Sequence, residues 1–139
     1  MNGFDLISRL RSSPFVSGVK GVKLEVGVAG EVTIEIPQSF YCEFMQRCRE
    51  DFLFPNPRIV FFCFGPNNAL VIRIDESYSG VGVTVVVVVS DGLALPSIAD
   101  VWPAVRWHER EAFASIRSKQ SPKGTSSMMV VGAVSEVAP

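Results

Sequence analysis

The chain reads as an α+β domain, a two-layer fold in which a mostly antiparallel five-stranded sheet carries helices on one face. Three features predict it. Five segments of strand length are apolar on alternate residues or throughout. They are grouped by tight-turn residues, as hairpins are. Helical segments interrupt them in the order helix, two strands, helix, three strands, terminal helix. A length of 139 residues suits one domain with a substantial core.

Each element follows from local chemistry. Phe4, Leu6, Ile7 and Leu10 keep helical spacing, and Ser12-Ser13-Pro14 ends that helix. From Val19 to Val28 a strand is predicted, with Val22, Leu24, Val26 and Val28 on the buried face and Lys23 and Glu25 opposite. After Ala29-Gly30 its partner follows, with Val32, Ile34 and Ile36 inward. Pro37 stops it. Gln38 to Phe52 forms an amphipathic helix, with Phe40, Tyr41, Phe44, Met45 and Cys48 apolar and Glu43, Arg47, Arg49 and Glu50 outside.

Phe54-Pro55-Asn56-Pro57 cannot continue that helix. Strands are predicted at Arg58–Phe64, Ala69–Asp75 and Val81–Ser90. Gly65-Pro66-Asn67-Asn68 and Ser77 to Gly80 turn between them. Val85 to Val89 lacks polar alternation, so it is predicted to be a central strand buried on both faces. This assigns residues 1–95 to the core domain, 96–113 to a docking helix and 114–139 to a linker-like tail. Ser118 to Ser127 is rich in Ser, Lys, Pro and Gly, and Met128 to Val134 could add as a strand.

Composition narrows the function. Apolar residues are 47% of the chain and charged ones 19%, which requires either surface covered by a partner or a core covered on both faces. A net charge of −1 leaves no electrostatic footprint for nucleic acid or anionic membrane. No apolar run is long enough to span a bilayer. The chain shows no signal-peptide pattern. Cys42, Cys48 and Cys63 are an odd set, expected as reduced, buried thiols. Their spacing suits neither a zinc site nor an iron–sulfur cluster. His108 is the only histidine, so neither a His-rich metal site nor a nucleophile–histidine–acid set is visible. No Gly-rich phosphate loop is present.

Ser97 to Phe113 is the most informative stretch, with both tryptophans, the histidine and a Glu-Arg-Glu triplet. Ser97 with Asp100 fits an N-cap followed by a first-turn acid, and Pro103 suits the start of a helical turn. Ala104–Phe113 is then helical, with Arg106 and Arg110 on one face and Trp107 and Glu111 on another. Tryptophan and arginine are common binding anchors. The bland alternative packs Trp102 and Trp107 against the sheet and leaves Glu109, Arg110 and Glu111 as solvated charges.

The string Pro96-Ser97, Trp102-Pro103-Ala104, Trp107, Glu109-Arg110-Glu111 resembles the signature of the 30 kDa subunit of respiratory complex I, the NADH:quinone oxidoreductase. It is similar also to the matching subunit of membrane-bound energy-converting hydrogenases. The resemblance covers about residues 1–113, of which the last seventeen are diagnostic. It implies the helix and strand order read above. It implies a structural subunit without flavin, cluster or metal, in the hydrophilic arm of an ion-pumping redox complex, NADH- or ferredoxin-linked or a hydrogenase. It would dock on the large catalytic subunit and neighbouring arm subunits, peripheral at the cytoplasmic face. Trp102, Arg106, Trp107, Glu109, Arg110 and Glu111 are the expected partner-binding residues. After Phe113 the family continues with an aspartate and later a Gly-His-Pro; this chain has Ala114-Ser115-Ile116-Arg117 instead.

Two other classes are weighed against this. A stand-alone α+β ligand-binding domain would use the ten Phe, two Trp and two Tyr to line a pocket. A small enzyme with a cysteine nucleophile would need Cys42, Cys48 or Cys63 exposed and labile.

Overall fold

Ile34, Val85, Ile72 and Phe62 lie side by side across four neighbouring strands, and the rest of the molecule is arranged around that row. The computed structural model describes residues 3–50, 56–89 and 95–119. The strands are β1 (Lys23–Val26), β2 (Val32–Ile36), β3 (Pro57–Phe64), β4 (Ala69–Glu76) and β5 (Gly82–Val88). They form one sheet in the order β1-β2-β5-β4-β3. All pairings are antiparallel except β2 with β5, which is parallel. A helical crossover separates β2 from the β3–β4–β5 meander, which is what a parallel neighbour requires.

Two further rows flank the first: Val32, Val83, Ile74 and Ile59, then Ile36, Val87, Leu70 and Phe64. Every second side chain of a strand points to the same face, so register alone builds this apolar surface. Helix α1 (Gly3–Ser12) covers it with Leu6 and Leu10, and α2 (Pro14–Ser17) with Val16. A 3-10 turn at Gln38–Phe40 leads into α3 (Tyr41–Arg49), which contributes Tyr41, Phe44, Met45 and Cys48. The last helix, α4 (Val105–Lys119), lies against β3. No helix among the described residues is long and apolar enough to cross a membrane.

Several expectations change. β5 is central, but only one of its faces is sealed: Val83, Val85 and Val87 are fully buried, while Val86 is half-buried and Val88 is 49% exposed. The helical side chains of the core join the opposite face, so Thr33, Thr84, Arg73, Val71 and Val86 remain on a partly open surface. There Arg73 Nε donates to the Asp75 carboxylate. Val60 and Phe61, beside a register shift in β3, are also exposed. The apolar excess therefore does not come from a core covered on both faces.

β1 is shorter than the predicted Val19–Val28 strand. As an edge strand it leaves Val26 exposed, and Val28 stands out at the turn. The Gly27 N–H donates to Glu31 O at 2.7 Å to close that turn, and Gly30 takes φ 86°. Pro14 ends α1 yet starts α2 at once, because proline's fixed φ suits a first helical position. In the β3–β4 turn Asn67 and Asn68 adopt φ 62° and 55°, left-handed values that asparagine tolerates.

Only Cys48 fulfils the expectation of buried thiols. Cys42 is on the solvent side of α3 and Cys63 on the open side of β3, both exposed. Burial pushes the Cys48 thiol well above its usual value. The readings for Asp51 to Pro55, Ser90, the linker beyond Lys119 and the Met128–Val134 strand lie outside the described residues.

Glu76 ends β4 and organises the turn that follows. Its carboxylate accepts from the Tyr78 N–H at 2.8 Å and the Ser79 N–H at 3.0 Å. A hydrogen bond with the Ser79 side chain, then those from the backbone, hold the carboxyl below its usual range. That stabilisation is complete above the pH where the unfolded carboxyl titrates, about 4.3, and is lost as pH falls through the lower folded value. Glu76→Gln is expected to lower the urea midpoint at pH 7 and to differ progressively less from wild type toward pH 3. A difference that stays constant over this range would refute the assignment.

Candidate functional site

The stretch from Ser97 to Ala112 is built in two steps, a single capped turn and then α4. Ile98 O accepts from the N–H groups of Val101 and Trp102 at 3.1 and 2.8 Å, closing one helical turn. Ser97 Oγ accepts from the Ala99 N–H at 3.1 Å, so the predicted cap serves this turn rather than the long helix. Asp100 is exposed. After Pro103, α4 starts at Val105 and continues past Phe113 to Lys119.

Helical geometry then sorts the six expected partner-binding residues into two groups. Val105, Glu109 and Ala112 fall on one stripe and are buried. Glu109, 3% exposed, accepts from Ser97 Oγ–H at 2.7 Å and from the Ile98 N–H at 3.0 Å. It therefore ties α4 to the turn that precedes it. Trp102 is also buried, and its indole N–H donates to Met45 O at 2.8 Å, anchoring the turn to α3. Arg106, Trp107, Arg110 and Glu111 are exposed, with Arg106 above Arg110 and Trp107 above Glu111. Trp107, 62% exposed, stacks edge-on with His108 at 5.4 Å between ring centroids.

The Tyr41 hydroxyl is buried without a hydrogen-bond partner. Its acidity is suppressed by burial first, then by the Glu109 and Cys42 charges.

A groove of about 300 Å³ opens beside Trp102. Arg49 and Arg58 line it with Asn56, Ser77 and the Pro103-Ala104-Val105 backbone turn. The Arg49 guanidinium lies 5.6 Å from the Trp102 ring centroid. Ser77 fixes the opposite side, donating from its N–H and hydroxyl to Asn56 O at 3.0 and 2.9 Å. Sequence reading assigned Arg49 to the solvent side of a helix and gave Arg58 and Ser77 no role. The only signal available was an arginine on each side of the Phe-Pro-Asn-Pro stop. Among the described residues no three His, Cys, Asp or Glu side chains converge.

The inward pair makes a stability prediction. Trp102→Phe removes the donor to Met45 and is expected to cost about 1 kcal/mol. Glu109→Ala leaves the Ile98 N–H buried and unpaired and should cost about 2–3 kcal/mol. Glu109→Gln, which keeps an acceptor, should recover part of that loss. Equilibrium urea unfolding measures all three, and wild-type stability in Glu109→Ala would show that the clamp is unimportant.

Comparison with known proteins agrees with this segment. The family described as respiratory-chain NADH dehydrogenase, 30 Kd subunit, matches residues 63–117. No curated protein matches the chain. Among solved structures, the trypsin-resistant fragment (1-134) of Nqo5 aligns with a TM-score of 0.56 at 20% identity, over 77% of this chain and 91% of that one. A chain of the membrane-bound sulfane sulfur reductase, an archaeal respiratory membrane complex, aligns with a TM-score of 0.59 at 14% identity, over 80% of this chain and 65% of that one. At such identities the structural likeness is one of fold. The chain thus resembles the 30 kDa subunit family of respiratory complex I, in sequence from β3 into α4 and in fold over most of its length.

Proposed function

We propose that this chain is a subunit of a complex I-like respiratory membrane complex, peripheral to the membrane. In this reading it docks on the large subunit of the hydrophilic arm through the outer face of α4, on the cytoplasmic side. Its contribution is structural: it holds no cofactor of its own, and the redox chemistry belongs to its neighbours.

The observation that carries this reading is the split of the signature. Trp102 and Glu109 are occupied by this chain's own atoms, so they fix the position of α4. That leaves Trp107, Arg110 and Glu111 presented together on a rigid helix. An exposed tryptophan beside arginine is the composition of a binding anchor, and Arg110 can take a partner carboxylate in a bidentate pair. The inner two residues act on docking through the angle and register of the helix.

Affinity purification of the tagged chain from its own host tests this. Trp107→Ala and Arg110→Ala are expected to reduce recovery of the large subunit while the variant chains stay folded. Loss of a buried, paired Arg110 should weaken association by about 2–5 kcal/mol. Undiminished recovery with both variants would rule out the α4 face as the contact.

A further inference from the structure

We propose that this chain's own residues 128–134 pack on the apolar half of the open sheet face, the side that α1, α2 and α3 leave uncovered. This packing does not depend on the docking role of α4.

Strand register builds the surface. On the face opposite the helical core, Cys63, Val71 and Val86 lie side by side on β3, β4 and β5. Phe61 is one alternation before Cys63 on the same strand, and Ala69 pairs with Val88 on the far side of the row. Phe61 and Val88 are 41% and 49% exposed, and Cys63 is exposed as well. A contiguous apolar surface of this kind gains stability from cover.

Charge selects the kind of cover. These six side chains carry none. Arg73, opposite Phe61, is already paired with Asp75. Farther along the sheet, Glu35 is paired with Lys23 at 3.9 Å. A charged occupant would lose its hydration here without gaining a partner, so an uncharged one is favoured. From Gly124 to Ser135 the chain has no charged residue, and residues 128–134 read Met-Met-Val-Val-Gly-Ala-Val. The methionines adapt to an uneven surface, and Gly132 and Ala133 allow close approach of the backbone.

The tether favours this segment over a free competitor. α4 starts at Val105, which shares a groove with Pro57 and Ile59, and it lies against β3. β3 is the edge strand beside β4, so α4 is on the side of the sheet that carries the apolar half. Eight residues, 120–127, separate the end of α4 from Met128. They reach up to about 28 Å, whereas β3 to β5 is only about 10 Å. A short tether of this kind supplies an effective concentration on the order of millimolar.

The test is alkylation of the full chain by N-ethylmaleimide, followed at each cysteine by peptide mass spectrometry. Cys63 belongs to the covered surface, whereas Cys42 is exposed on α3 and Cys48 is buried. Val130→Asp combined with Val131→Asp is expected to speed Cys63 alkylation at least about tenfold, with Cys42 unchanged and Cys48 unreactive. Methyl NOEs from Met128 or Met129 to Val71 or Val86 are expected in the wild-type chain, and they should persist when labelled chain is diluted into excess unlabelled chain. Equal Cys63 rates in wild type and variant, or absence of these NOEs, overturns the proposal. NOEs that vanish on dilution assign the face to a second copy. Cys63 protection that arises only with co-purified subunits, and survives in the double variant, assigns it to a partner. Either result also overturns the proposal.

Discussion

The buried Glu109 carboxylate is the constraint on which the functional end of the molecule depends. It accepts from Ser97 Oγ–H and the Ile98 N–H, so a charged group from α4 closes the turn that comes before it. Burying a carboxylate is costly unless its oxygens are satisfied. Here that requirement becomes specificity: only one rotation of α4 brings Glu109 to these donors. The same rotation directs Val105 and Ala112 inward and Trp107, Arg110 and Glu111 outward. Trp102 adds a second tie, from the turn to α3, so the helix is positioned relative to α3 as well as to the turn.

Much of the fold was legible because alternation is a strong signal at strand length. Ile34 and Ile36, Leu70, Ile72 and Ile74 all face the core as their spacing implies. The central position of β5 also follows from its valines. Its second face was misread because valine suits a strand whichever side it occupies, so a run of valines erases the alternation that marks an open face. Val88 is the clearest case, apolar yet half in solvent. Edge effects were equally hidden: nothing in Val26 or Val28 signals that β1 has a neighbour on one side only.

The candidate site was legible as a string but not as a geometry. Adjacent positions on a helix point about 100° apart, so the triplet Glu109, Arg110 and Glu111 spans about 200° and cannot face one way as a whole. Which of them turns inward depends on where α4 meets the sheet and the Ser97 turn, information carried by residues far from the triplet. The groove was further out of reach. It joins the end of α3, the start of β3, the β4–β5 turn and the start of α4, four places that no single periodicity links.

The parallel pairing of β2 with β5 has a consequence for the newborn chain. Val32 must find Val83, with all of α3, β3 and β4 lying between them in sequence. During synthesis the β1–β2 hairpin therefore emerges with Ile34 and Ile36 lacking the neighbour they will later have. Closing so distant a pair forfeits chain freedom before any contact rewards it, which makes the step slow. Until it happens, an apolar ribbon is exposed to any other strand in reach. Chaperone dependence of this chain would thus originate in its topology, in one crossover rather than in the oiliness of its sequence.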